Sequence, residues 1–217
     1  MMARITCIRE EAKEIKGFSI RLDSVFSYRP GQYVMLAFPD APQDKKPFSV
    51  ASYNSRKNEL YLVIKKNGSF TQRLFSVNPG QDILVSGPYG RFVLPESDRP
   101  VIFIAGGIGI TPLFCMLSHI AENGYSKNAR LYYSARRKED MALAGELEKI
   151  RKNNIMINYI FTENEKRLDA ESFKDIPEYE EHMYYICGPT GMIDGFRSAL
   201  AGIGVKEELI RSEDFAA

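Results

Sequence analysis

Val101-Ile102-Phe103-Ile104-Ala105-Gly106-Gly107-Ile108-Gly109-Ile110-Thr111-Pro112 is the stretch on which the fold turns. Five apolar residues in a row, with no polar alternation, read as a strand covered on both faces, as in a parallel sheet. The glycines that follow let the backbone turn sharply and approach a ligand closely. Thr111 is suited to an N-cap and Pro112 to a first helical residue, which places a helix start directly after the loop. Such a start offers unpaired N–H groups and the positive end of the helix dipole to an anion. The spacing departs from the dinucleotide pattern G-x-G-x-x-G, because Pro112 stands where the third glycine would be. Two readings are therefore open from the loop alone, a phosphate-binding turn and a plain strand–helix connection.

Downstream, strands alternate with helices. The helix from Pro112 to about Glu122 stops at Asn123-Gly124. Leu131 to Ser134 reads as the next strand, Ala142 to Lys152 as a charged helix, Ile155 to Phe161 and Tyr184 to Cys187 as further strands, and Met192 to Leu200 as the last helix. This order predicts a parallel sheet wrapped by helices. Upstream, the pattern changes. Short apolar or alternating runs at Ile5–Ile8, Phe18–Leu22, Tyr33–Phe38, Phe48–Ala51, Leu60–Ile64 and Ile83–Ser86 are separated by Pro30-Gly31, Asn54-Ser55, Pro79-Gly80 and Gly87-Pro88. One helical piece, Phe70 to Ser76, interrupts them. Six short strands at this spacing predict a small antiparallel barrel or sandwich. The change of pattern near Glu96-Ser97-Asp98 divides the chain into residues 1–97, a β-barrel, and residues 98–217, an α/β domain.

The 217 residues suit two such domains, and 44% hydrophobic with 26% charged residues is an ordinary globular balance. A formal net charge of +1 points to neither nucleic acid nor an anionic membrane surface. No apolar run is long enough to span a bilayer, and Met1 to Thr6 has no apolar signal core. Cys7, Cys115 and Cys187 are too few and too scattered for a disulfide framework or a cysteine-bound cluster, which makes a cytoplasmic setting the simplest expectation. His119 and His182 lack metal-ligand spacing, so no metal site is expected.

A second glycine turn, Cys187-Gly188-Pro189-Thr190-Gly191, also joins a strand to a helix. In a parallel sheet two such turns share the carboxyl edge, where ligands bind. Cys187 is either a packing residue or a residue that touches the ligand. In the barrel half, Lys45-Lys46-Pro47-Phe48-Ser49 leads into one strand and Lys65-Lys66-Asn67-Gly68-Ser69-Phe70-Thr71 leads out of another into a helix. Four lysines around a glycine-led helix start suit a diphosphate, and equally describe a solvated charge cluster. The ending Arg211-Ser212-Glu213-Asp214-Phe215-Ala216-Ala217 is either a disordered tail or a placed aromatic.

Taken in order, Pro30-Gly31-Gln32-Tyr33, Lys46-Pro47-Phe48-Ser49, Gly68-Ser69-Phe70-Thr71, Gly87-Pro88-Tyr89-Gly90-Arg91-Phe92, the 106–112 loop, Cys187-Gly188-Pro189 and Glu213-Asp214-Phe215 resemble the landmarks of the ferredoxin–NADP reductase superfamily. The resemblance implies a flavin-binding antiparallel barrel followed by a nucleotide-binding α/β domain. It implies that Lys46, Pro47, Phe48 and Ser49 hold the flavin, with Ser49 reaching flavin N5. Lys46 stands where the family has an arginine, and Phe48 where it has a tyrosine. Gly68, Ser69 and Thr71 would hold the pyrophosphate, and Val63 and Lys65, at the end of the preceding strand, join the cofactor-binding set. FAD is the implied flavin ahead of FMN. Gly106, Gly107, Gly109, Thr111 and Pro112 would take the nicotinamide nucleotide's phosphates, with Gly188 and Pro189 in the second turn. Cys187 and Glu213 would shape the nicotinamide pocket, and Phe215 would stack on the flavin.

The implied activity is transfer of a hydride from a reduced nicotinamide coenzyme to the flavin, with electrons passed on to an external acceptor. That acceptor would be a ferredoxin or flavodoxin. The alternatives are an oxygenase component, a cytochrome or free flavin, or a role as an electron-relay subunit of a larger complex. No acidic residue ends the strand Leu131–Ser134, while Arg136 and Arg137 follow it. Those guanidinium groups suit a 2′-phosphate, which favours NADPH over NADH, although Glu139-Asp140 would partly neutralise a merely basic loop.

Overall fold

The computed structural model describes residues 1–52, 58–95, 99–123, 128–151, 154–164 and 167–215. The first six strands are β1 (Met2–Ala12), β2 (Ile15–Leu22), β3 (Tyr33–Phe38), β4 (Ala41–Ser49), β5 (Glu59–Lys65) and β6 (Asp82–Tyr89). They form one antiparallel sheet in the order β4-β3-β6-β1-β2-β5. The edge strands meet where Val50 bridges Leu62 and the Ala51 amide donates to the Tyr61 carbonyl at 2.8 Å, which closes the sheet on itself. Alternation places Ala3, Ile5, Phe18, Ile20, Val34, Leu36, Leu60 and Leu62 inside. Helix α1 (Gly68–Phe75) plugs the barrel with Phe70 and Leu74.

The second sheet is parallel, in the order β11-β10-β7-β8-β9, with β7 (Val101–Gly106), β8 (Ala129–Ala135), β9 (Ile155–Phe161), β10 (Met183–Gly188) and β11 (Ile210–Asp214). Every residue of β7 and β10 is buried, as two-sided coverage requires. Helices α2 (Ile110–Asn123), α3 (Ala144–Ile150) and α4 (Thr190–Gly202) cover the faces. The chain winds outward from β7 through β8 to β9, then returns to lay β10 and β11 on the other side. The reversal falls between β7 and β10, so both glycine turns leave the sheet at its switch point.

The two halves share a core. Ile15, Ala51, Val63, Phe92 and Leu94 pack into the same cluster as β7, α2 and β10. The Tyr185 hydroxyl donates to the Val93 carbonyl at 2.9 Å, and the Cys115 thiol donates to the Ser52 carbonyl at 3.3 Å. Gly31, at φ +100°, admits α2: a methyl group there would lie 2.4 Å from Met116 Cε and 2.1 Å from the Phe92 carbonyl.

Several expectations from sequence are corrected. Thr111 is not an N-cap, nor Pro112 the first helical residue. A 3₁₀ turn over Gly107–Gly109 feeds straight into α2 at Ile110, and the Thr111 hydroxyl donates back to the Ile108 carbonyl at 3.1 Å. Strand β4 begins at Ala41, seven residues before Phe48, because its pairing with β3 is imposed by the Phe38–Ala41 hairpin rather than by apolar side chains. Helix α3 is shorter than the span from Ala142, because Leu143 takes a left-handed conformation ahead of it; Lys152 lies outside the described residues. The ending is strand β11, paired in parallel with β10. The Asn54-Ser55 turn, the 96–98 boundary, Gly124, Ala216 and Ala217 also lie outside the described residues.

Candidate active site

Between the barrel and the carboxyl ends of β7–β10 lies an open cleft of about 1050 Å³. That volume is at the upper end of what small-molecule and cofactor sites occupy. Gly106 and Gly107 line it after β7, Arg136 and Asp140 after β8, Arg167 after β9, and Pro189 and Met192 after β10. The barrel contributes Lys13, Glu14 and Lys65.

The two glycine turns interlock at its base. A methyl group on Gly109 would sit 2.2 Å from the Cys187 carbonyl oxygen, and one on Gly188 would meet Met192 Cε at 2.6 Å and Gly106 Cα at 3.1 Å. Gly107 is different: its φ is +53° and nothing among the described residues lies within 4 Å of the methyl position, so its missing side chain leaves room for a ligand. Gly109, Thr111 and Pro112 are buried beneath the cleft rather than lining it.

A second group gathers at the barrel rim. Phe48 packs on Phe70 in the first turn of α1, ring centroids 5.8 Å apart. Helix α1 starts at Gly68 with φ +81°, has no side-chain N-cap bond and carries no acidic residue in its first turn. That leaves an N-terminus able to receive an anion. Thr71 Oγ1 accepts from the Asn67 amide at 2.6 Å and donates to the Asn67 carbonyl at 2.7 Å, which fixes the turn. The four lysines do not form one cluster here: Lys46 pairs with Asp44 at 3.2 Å, and Lys65 lines the interdomain cleft. Val63 is buried in the shared core. Ser49, at the end of β4, is buried, and its hydroxyl oxygen has no hydrogen-bond partner among the described residues. A buried hydroxyl without a partner costs free energy, and a ligand that supplies the missing partner is one explanation for its being kept.

The third group sits at the carboxyl ends of β10 and β11, where Cys187 pairs in register with Glu213 and Gly188 with Asp214. The Thr190 hydroxyl donates to Asp214 Oδ2 at 2.6 Å, tying α4 to β11. Burial, reinforced by Glu213 and Asp214, pushes the Cys187 thiol well up, so it stays protonated and is no thiolate nucleophile. Burial pushes the Glu213 carboxyl up to about 7, and its Oε2 has no partner among the described residues. Phe215 follows, partly exposed.

Glu213 should leave a signature in stability. Below about pH 4.5 the carboxyl is protonated both folded and unfolded, and it has no effect. Between there and about pH 7 the unfolded chain releases the proton while the folded chain retains it, so stability falls as pH rises. The full shift, discounted for residual exposure, corresponds to about 2 kcal/mol. Glu213→Gln should therefore melt a few degrees higher than the parent at pH 8, roughly 4 °C, and match it at pH 4.5. Parallel melting curves against pH check this; a constant offset would sink it.

Sequence reading brought Gly106, Gly107, Arg136 and Pro189 to the cleft; it set Lys65 at the diphosphate turn of the barrel, whereas the structure places it in the cleft, and it missed Lys13, Asp140, Arg167 and Met192. Lys13 sits in an ordinary-looking turn, and only docking of the barrel on the sheet carries it to the site. Arg137 turns away: its guanidinium grips Glu163 at 2.6–2.8 Å through Nε and Nη2. Arg136 is looser, 3.7 Å from the same carboxylate. Among the described residues no cluster of metal-ligating side chains is present, and no helix is long and apolar enough to cross a membrane.

A closed antiparallel barrel docked on a doubly wound parallel sheet, with a glycine-led helix start on the barrel and an open glycine turn on the sheet, defines a two-domain fold suited to nucleotide cofactors. Comparison with known proteins agrees with this: an oxidoreductase FAD-binding domain matches residues 3–94 and an oxidoreductase NAD-binding domain residues 103–198. The chain belongs to the ferredoxin–NADP reductase superfamily of flavoprotein oxidoreductases. It is 27% identical to the propane 2-monooxygenase reductase component of Rhodococcus jostii, over 98% of this chain and 62% of the relative. It is 31% identical to a probable dihydroorotate dehydrogenase B (NAD+) electron transfer subunit of Pyrococcus horikoshii, over 89% of this chain and 72% of the relative. A ferredoxin–NADP+ reductase variant from Plasmodium falciparum superposes with a TM-score of 0.84 at 22% identity, over 99% of this chain and 95% of that one. The chain spans 50–63% of the length of the propane 2-monooxygenase reductases of R. jostii, Mycolicibacterium smegmatis and Mycolicibacterium goodii and of the electron transfer subunit of Pyrococcus furiosus.

Proposed function

We propose that the chain is an NAD(P)H-dependent flavoprotein reductase that binds FAD on the barrel, takes a hydride from the coenzyme in the interdomain cleft and delivers electrons to a separate acceptor. The observation that carries it is the Ser49 hydroxyl at the end of β4, buried and without a hydrogen-bond partner among the described residues. The residues fit the flavin. The unpaired Ser49 hydroxyl awaits a polar ring atom, the Phe48 ring packs beside the α1 start, and Gly68 opens a helix end suited to the pyrophosphate. When bound, the flavin supplies the two-electron to one-electron conversion that no side chain provides.

The chain's own residues do the rest. Lys46, Pro47 and Phe48 hold the flavin's position, Val63 supports the barrel wall from the shared core, and Ser69 and Thr71 fix the phosphate-binding turn. Gly107 opens the cleft for the coenzyme's phosphates, with Gly106, Gly109, Thr111 and Pro112 shaping the loop and Gly188 and Pro189 facing it. Cys187 fills the floor as a neutral thiol. Glu213, protonated in a large share of molecules near pH 7, can donate as well as accept a hydrogen bond at the nicotinamide end. Phe215 covers the reacting face until the nicotinamide takes its place. Alignment and water exclusion, rather than acid–base chemistry, are the protein's contribution.

For the coenzyme, Arg136 rather than Arg137 is positioned to take a 2′-phosphate, because Arg137 is already bound to Glu163. Arg136→Ala should weaken NADPH about tenfold or more and leave NADH within about threefold, the size of one lost charged hydrogen bond. Equal losses for both, measured by equilibrium binding, would remove the 2′-phosphate role. For the acceptor, a ferredoxin or flavodoxin remains one reading. Similarity to a monooxygenase reductase component and to an electron transfer subunit favours an oxygenase component or a relay within a larger complex. The three unpaired thiols suit a reducing cytoplasm.

Anaerobic absorbance titration of the flavin-loaded protein with NADPH and NADH in parallel tests the main reading. Bleaching by either coenzyme is the expected result, at lower NADPH. A protein that binds no flavin, or whose flavin neither coenzyme reduces, overturns it.

A further inference from the structure

The hairpin between β1 and β2 belongs to the barrel, yet its tip forms a wall of the nucleotide cleft. We infer that Lys13, at that tip, is a coenzyme-binding residue that meets the phosphates of the adenosine half of the dinucleotide. The inference rests on the nicotinamide-coenzyme reading above.

The hairpin is pinned on both sides of Lys13. Before it, Glu10 pairs with Lys16 and Ala12 with Ile15, so Glu11 is an extra residue, a bulge that re-aims its side chain. Glu11 Oε2 accepts from the Leu143 amide at 3.3 Å, at the entry to α3, and its other oxygen accepts from the Tyr61 hydroxyl. Arg9 donates to that hydroxyl through Nη2 at 2.8 Å and reaches Glu146 at 3.8 Å. After Lys13, Glu14 holds a left-handed φ of +57° and its carbonyl accepts from the Lys66 amide at 2.8 Å. Ile15 is then buried in the core of the α/β domain. The turn is thus fastened to the nucleotide domain by a carboxylate upstream and an apolar anchor downstream, with the Lys13 ammonium between them.

Position then says which part of a ligand it meets. Leu143 lies three residues beyond the Arg136–Asp140 segment after β8, the place where a doubly wound sheet receives the adenosine ribose. The hairpin therefore stands across the cleft from the adenosine end, away from Cys187 and Glu213. Lys13 lines the cleft with Lys65, Arg136 and Arg167, and among the described residues it makes no ion pair. A mobile point charge at that place suits a phosphate oxygen. It also means that the coenzyme is bound by both domains at once, and reinforces the docking that the Glu11–Leu143 contact begins.

Calorimetric titration of the flavin-loaded protein with ADP-ribose, 2′,5′-ADP and nicotinamide mononucleotide tests this, using the parent, Lys13→Gln, Lys13→Arg and, as a distant control, Lys206→Gln. Lys13→Gln is expected to weaken ADP-ribose about tenfold and to reduce the salt dependence of its binding. It should leave the mononucleotide, flavin content and melting temperature unchanged. Lys13→Arg should restore binding to within about threefold of the parent. Parent-like ADP-ribose binding by Lys13→Gln, or an equal loss for the mononucleotide, overturns the assignment with the coenzyme reading intact. A parent protein that binds neither adenosine fragment overturns both.

Discussion

Gly109→Ala should lower the stability of the chain by about 3 kcal/mol or more and cost it nicotinamide-coenzyme binding, while Gly107→Ala should cost only about 1 kcal/mol of stability. The two glycines stand in one turn, and their surroundings differ in kind. At Gly109 an added methyl group meets the Cys187 carbonyl oxygen at 2.2 Å, its carbon at 2.4 Å and the Gly188 nitrogen at 2.7 Å. All three are backbone atoms of β10 and its turn, so no side-chain rotation relieves the clash. Relief requires α2 or β10 to move, and both are buried on the core. At Gly107 the methyl meets nothing, and the cost is the left-handed backbone alone, φ +53°. Its substitution should instead be felt by the ligand, because Gly107 lines the cleft. Thermal melts of both variants, paired with coenzyme titrations, separate the two effects. Equal destabilisation would mean that the interlock at Gly109 relaxes more easily than its backbone contacts imply.

That contrast also marks what could be read from the residues alone. The 101–112 stretch predicted a buried strand, a tight turn and a helix because each rests on local chemistry: an apolar run without alternation, glycines, and a proline placed early. The same locality misplaced the helix start by two residues, since nothing in Thr111-Pro112 announces that the glycines are already wound into a 3₁₀ turn. Strand β4 shows the opposite limit. Gln43, Asp44, Lys45 and Lys46 carry no pattern, and they are extended only because β3 lies beside them. The ending Ile210–Asp214 is a strand for the same reason, with β10 as its partner. In the site, residues that sit in marked turns were legible. Asp140 and Arg167 were not, because they come to the cleft by following β8 and β9 out of one sheet edge, and Lys13 was not, because only docking of the barrel carries it there; no spacing in one segment records either. Arg137 was assigned with Arg136 on charge alone; Glu163, 26 residues on, is what separates them.

Ser49→Ala should slow reduction of the bound flavin by NAD(P)H about 100-fold and leave flavin content near that of the parent. In the flavin-free chain it should raise stability slightly, or leave it unchanged. The two directions follow from one observation. The Ser49 hydroxyl oxygen is buried and has no partner among the described residues, so the folded chain carries an unsatisfied polar group, typically a cost of about 1–3 kcal/mol. Alanine removes that group and loses no hydrogen bond. A serine retained only for packing would show the reverse, a small loss of stability with no effect on rate. A rate loss near 100-fold is the scale seen when one pre-aimed donor is removed from a reacting centre. Neighbouring residues make the substitution a clean one. Tyr33 pairs with Ser49 through backbone, and the Val50 amide is held by the Gln32 carbonyl at 3.0 Å, so the strand end does not depend on the hydroxyl. Stopped-flow reduction at saturating coenzyme gives the rate, and melting with and without flavin gives the stability. A variant as fast as the parent would take Ser49 out of the reaction and leave its buried hydroxyl without a role. A variant that loses both stability and flavin would assign it to packing.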